Sequence, residues 1–131
     1  MNNQTKRKNV ELCLKLYSMF EKCLKDNYAI ADYISSVSPS YTDINLMLDY
    51  FWGYKAILRE VNIHQLNSGK IEANLQDIKK ENSYFSKPLE TMPPIVVKDN
   101  QIEDGNHRYR VCKRKNVKTI LIYDVINIEN E

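Results

Sequence analysis

The spacing of apolar positions changes along the chain, and each change marks an element. Over residues 7–26, Val10, Cys13, Leu14, Tyr17, Phe20 and Leu24 recur at helical spacing, and Leu12, Leu16, Met19 and Cys23 fill the neighbouring face. Glu11, Lys15, Ser18, Lys22 and Lys25 leave only a narrow polar stripe. The spacing therefore predicts a helix buried on more than one side. A second helix is expected over 28–36, ended by Ser38-Pro39-Ser40, because proline disfavours a helical residue before it. From 41 to 55 the period is helical again, with Thr42 or Asp43 as cap. The aromatic run Tyr50, Phe51, Trp52, Tyr54 reads as core; a base-stacking platform is the sharper alternative, but no basic residue is interleaved with it.

From Arg59 to Leu66 the pattern alternates, which predicts a strand. His64 is then a strand-surface residue. Ser68-Gly69 marks a turn, and residues 71–80 read as a short amphipathic helix. An irregular lead-in over 87–94 precedes Ile95-Val96-Val97, a short β run. Asp99-Asn100 fits a two-residue hairpin turn, since both residues tolerate positive φ, and Gln101-Ile102-Glu103 returns. Asp104-Gly105-Asn106 opens a helix to about Lys115, with Asn116 suited to a left-handed end. Residues 119–125 are apolar on both faces, the signature of a central strand, and the last six residues are expected to fray.

Composition adds bounds rather than identity. At 131 residues a second full core is not expected. Nineteen basic against 17 acidic residues give a net charge of +2, too balanced to argue for nucleic acid by bulk charge. No apolar run reaches the ~18 residues of a membrane span, and no signal-peptide core is present. Three cysteines without a Cys-x-x-Cys pair fit a reducing cytoplasm and argue against a thiolate zinc site.

The chemistry-bearing stretch runs from Pro94 to Val111. The first amides of a helix lack intrahelical partners and carry partial positive charge, so an anion docks there readily. Gly105 permits close approach, Arg108 offers a bidentate fork, and His107 a donor or proton carrier. Arg110, Lys113, Arg114, Lys115 and Lys118 extend the basic run. Asp104 is placed to cap the helix or to bind a metal or proton. On the residues alone, an ordinary turn, cap and solvated helix face account for the segment as well as an anion site does.

The string Pro93-Pro94-Ile95-Val96-Val97 through Asp104-Gly105-Asn106-His107-Arg108, followed by the strand at 119–125, resembles the ParB/sulfiredoxin superfamily over about residues 93–125. The resemblance implies an α+β fold, a small mixed sheet with flanking helices over 56–131; residues 1–55 lie outside the resemblance, and their helical spacing predicts an α-helical N-terminal extension. It implies a phosphate-handling turn in which Gly105 gives close approach, His107 and Arg108 hold phosphate, and Asn106 and Arg110 complete the nucleotide site. Sulfiredoxins carry their reactive cysteine where Asn106 stands, so sulfinic acid reduction is not expected. ParB proteins carry Glu-Arg at Asn106-His107 and a further DNA-binding domain, so partition is not expected either. The Asp-Gly-x-His-Arg form is most similar to the branch that phosphorylates free serine.

The expected activity is accordingly nucleotide binding, with transfer of a phosphoryl group from ATP or ADP (or CTP), with Mg²⁺, to a small hydroxylated acceptor. Asp104 would hold the metal or act as base, with Glu103 as a second carboxylate and His107 as a catalytic partner. The alternative is a non-catalytic module that binds nucleotide or nucleic acid and acts through a protein partner, of phage or mobile-element origin. A ParB-like nuclease is a third, lacking a recognisable metal cluster. The wide apolar helix at 7–26 also suggests a homodimer.

Overall fold

The computed structural model describes residues 19–38, 43–67 and 92–129. The expected helix at 71–80, the turn at Ser68-Gly69, most of the lead-in and residues 7–18 lie outside them. The elements are β1 (Cys23–Leu24), α1 (Asn27–Val37), α2 (Ile44–Tyr50), β2 (Tyr54–Asn62), a 3₁₀ turn (Ile63–Gln65), β3 (Ile95–Lys98), β4 (Gln101–Asp104), α3 (Asn106–Arg114) and β5 (Thr119–Asn127). The fold is α+β, as expected. Among the described residues the strands form one mixed sheet in the order β1-β2-β5-β3-β4, antiparallel except for the β5–β3 pair.

β5 is central, and its alternation feeds two cores. Leu121, Tyr123 and Val125 join Ala56, Leu58 and Val96 beneath α1 and α2. Ile120 and Ile122 join Ile95, Val97 and Ile102 beneath α3, whose Tyr109, Val111 and Cys112 close that side. Each of these large side chains contributes about 1.5–3 kcal/mol by leaving water. No helix among the described residues is long and apolar enough to cross a membrane.

Five expectations change. The strand expected to reach Leu66 ends at Asn62, and Ile63–Gln65, with His64 among them, form the 3₁₀ turn. Of the aromatic run Tyr50, Phe51, Trp52, Tyr54 read as core, Phe51 alone is buried, and Tyr50 and Trp52 are exposed. The apolar run expected to remain helical to 26 is extended at Cys23–Leu24, where it pairs with Ile57 and Ala56 as the sheet edge. The Leu58 amide donates to Lys22 O at 2.9 Å and the Tyr123 hydroxyl to Glu21 O at 2.8 Å. Sheet pairing thus overrides helical spacing, and the described residues before 56 supply a strand and half of one core besides two helices. Asp26 accepts from Ala29 N at 2.9 Å and so starts α1 instead of ending a helix. The helix expected over 41–55, capped by Asp43 through Leu46 N, stops at Tyr50. Gly53, at φ +82°, turns the chain into β2, which begins at Tyr54, five residues before the alternation shows. Finally, β5 runs to Asn127 because Ile126 and Asn127 pair with Lys55 and Tyr54, so the sheet takes in two of the six residues expected to fray.

Candidate phosphate site at the start of α3

The hairpin closes as its sequence requires. Asp99 (φ 52°) and Asn100 (φ 62°) are both left-handed, the geometry whose twist matches antiparallel strands. Within it the register slips: Val97 opposes Ile102, but Val96 opposes Asp104. Glu103 is therefore the extra residue of a β-bulge. Without the bulge Asp104 would share the α3 face with Ile102; the slip turns it to the α1–α2 face beside Glu103. Both carboxylates line one cavity of about 130 Å³, with Ile34, Met47, Tyr50 and Phe51.

Gly105 begins α3 at φ +105°, with no side chain capping the helix start. Asp104 is thus not the cap. A Cβ at Gly105 would stand 2.5 Å from Ile95 Cγ2 and 2.9 Å from Arg108 Nη2. What approaches this glycine closely is the protein itself.

Arg108 explains that crowding. It is 2% exposed. Its Nη2 donates to Asp104 Oδ2 at 2.7 Å, and its Nη1 to Pro93 O at 3.1 Å and Pro94 O at 3.2 Å. The Ser38 hydroxyl, just past the end of α1, bonds the Asp104 carboxylate, at 2.9 Å from Oδ1. The Tyr33 hydroxyl donates to Pro94 O, and burial raises its pKa well above the ordinary tyrosine value. Arg108 is therefore the centre of a strut that joins α1, the lead to β3, β4 and α3.

The other residues of the motif sit differently. Asn106 and His107, the first two residues of α3, are half-buried, as is Arg110. Arg110 Nη2 lies 3.3 Å from His107 Nδ1, so imidazole and guanidinium share one end of the helix. The structure thus brings Gly105, Asn106, His107 and Arg110 together at the start of α3, and turns Arg108 inward onto Asp104.

Sequence reasoning passed over Ser38, Tyr33 and Tyr50, whose hydroxyl donates to Glu103 Oε1 at 2.9 Å. Burial and that bond raise the Tyr50 pKa. One signal was available: consecutive prolines have carbonyls but no amide hydrogens, so Pro93-Pro94 needs donors. Lys98 supplies a cation to the aromatic cluster, with Nζ 4.4 Å from the Tyr54 ring centre and 5.3 Å from that of Tyr50.

A resident Mg²⁺ does not fit this arrangement. Asp104 is bonded to a guanidinium and a hydroxyl, and no group of three or more His, Cys, Asp or Glu suited to a metal occurs among the described residues.

No protein-family model matches the chain, and no curated protein is significantly similar to it. Among solved structures it is similar to a pNOB8-like ParB N-domain. One form shows 19% identity and a TM-score of 0.42, covering 55% of this chain and 30% of that one. A second shows 18% identity and a TM-score of 0.41, covering 55% and 28%. The matched part spans less than a third of either of those chains.

Proposed function

We propose that this protein is a phosphate-binding module that takes a nucleotide at the start of α3. One observation carries the reading: a nine-residue helix opens on a left-handed glycine without a side-chain cap, and His107 and Arg110 meet at that end. Helix amides and dipole attract an anion there, and two nitrogen-rich side chains add charge-assisted donors. Arg108 contributes by holding the turn in shape, not by touching the ligand. The bound part is the phosphate chain: the neighbouring cavity of about 130 Å³ falls below the ~300 Å³ at which ligand pockets usually begin.

The test is calorimetric titration with ATP, ADP, CTP and pyrophosphate. Binding is expected for all four, weakened about tenfold or more by His107→Ala or Arg110→Ala, in line with the loss of one charge-assisted hydrogen bond. Absence of heat with every one of them at millimolar concentration contradicts the proposal.

A second reading, phosphoryl transfer to a small acceptor, is favoured by the cavity beside Glu103 and Asp104, which has room for a small hydroxylated molecule. It predicts nucleotide turnover that needs such an acceptor and is lost in Glu103→Gln, because the Glu103 carboxylate lines that cavity outside the Arg108–Asp104 pair. Binding without turnover across a panel of hydroxylated acceptors leaves the module reading alone.

A further inference from the structure

A cleft of about 500 Å³ lies between the β1 edge, α1 and β5, within the size range of small-ligand sites. From α1 come Ala29, Asp32, Tyr33 and Ser36, which share one helix face at i, i+3, i+4 and i+7. That face carries a carboxylate and a hydroxyl where a covered face would be apolar. Phe20 and Tyr123 complete an aromatic wall. The Tyr33 ring stands edge-on to both, its centre 6.4 Å from that of Phe20 at 83° and 4.6 Å from that of Tyr123 at 72°. The two phenol hydroxyls are already committed, Tyr33 donating to Pro94 O and Tyr123 to Glu21 O. Burial raises the pKa of each, so neither becomes a phenolate at neutral pH. The rings therefore offer hydrocarbon and π surface, without a free donor or a negative charge.

Charge selects the occupant. Asp32 and Glu21 both line the cleft and are exposed, and neither carboxylate is bonded to another side chain among the described residues. No lysine or arginine among the described residues lines it; Lys22, next to Glu21 in the chain, donates to Phe20 O at 3.4 Å. Two carboxylates without a third ligand do not form a metal site, and they repel phosphate. A cation with apolar groups around its charge suits both walls. The carboxylates offset its charge, and the ring faces attract it through their quadrupoles. We propose that this cleft binds an alkylated ammonium ion, its charge against Asp32 and Glu21 and its apolar groups on the Phe20 and Tyr33 rings, with the buried Tyr123 ring behind them. The site is separate from the start of α3 and takes a ligand of the opposite charge.

Choline chloride is the probe, titrated into the full chain at constant ionic strength and followed by amide and aromatic NMR shifts. Its neutral analogue, in which carbon replaces the quaternary nitrogen, is titrated in parallel. Saturable shifts are expected at Phe20, Asp32 and Tyr33, with choline bound about tenfold or more tightly than the neutral analogue. Asp32→Asn keeps the shape of an exposed side chain, so melting should be unchanged while choline affinity falls about threefold or more. Phe20→Leu should weaken choline by a similar factor, the worth of one partly exposed cation–π contact. Tyr33→Phe keeps the ring and should leave affinity within about twofold, since its hydroxyl serves Pro94 O. Three results overturn the proposal: no saturable shift at tens of millimolar choline, equal affinity for the neutral analogue, or choline binding unchanged in Asp32→Asn.

Discussion

Arg108→Ala separates a strut from a surface ligand. The guanidinium is 3% exposed and its Asp104 partner 11%, so water screens the pair little. Truncation leaves the Asp104 carboxylate with Ser38, and it removes the donor shared by Pro93 O and Pro94 O. Breaking a buried pair by removing one partner costs about 3–5 kcal/mol, because the remaining charge keeps its desolvation penalty. For a chain of this size that lowers the melting temperature by roughly 10–20 °C. Thermal and urea unfolding followed by circular dichroism measure it. Arg108→Met with Asp104→Leu removes both charges and should lose less than the two single changes summed, by about 1–3 kcal/mol. An Arg108→Ala protein that melts within about 2 °C of the parent, yet no longer binds nucleotide, would refute the strut and return Arg108 to the ligand.

Other expectations follow from the same geometry. Gly105→Ala forces a side chain into a left-handed residue and against Ile95, and should cost about 2–4 kcal/mol in urea unfolding. Tyr33→Phe removes the donor to Pro94 O and should cost about 1 kcal/mol by the same assay. Burial raises the Tyr33 pKa and pushes that of Tyr123 up to about 12. Both hydroxyls are neutral in either state below pH ~10, so their contribution is intact there; above it the unfolded chain ionises first and stability falls. Unfolding free energy between pH 8 and 11 should show that decline, and the double variant Tyr33→Phe, Tyr123→Phe should flatten it.

Local signals were legible and remote ones were not. Asp99-Asn100, Asn116 and the two-faced strand β5 announce themselves because a turn residue or the run of four apolar neighbours Ile120–Tyr123 needs no distant partner. Asn116 is left-handed at φ 58°, as its type suggests. β1 was hidden because two residues carry no period of their own, and only Ile57 and Ala56, more than thirty positions away, make them a strand. The end of α2 was overrun because Trp52 and Tyr54 continue an apolar run that Gly53 interrupts. At the site, the order of hairpin, glycine and basic helix could be read. The inward turn of Arg108 could not, since it depends on a bulge at Glu103 and on Ser38 and Tyr33 from α1. A motif string lists which side chains are present; register and remote acceptors decide which of them face a ligand.

The central claim is that phosphate binds at the start of α3, and backbone amide shifts in a nitrogen-15 NMR titration with ATP and pyrophosphate test it most directly. The account predicts saturable shifts largest at Asn106, His107 and Arg108, present with pyrophosphate alone and lost in the double variant His107→Ala, Arg110→Ala. Saturable shifts centred elsewhere on the protein, with these three amides unmoved, would contradict it.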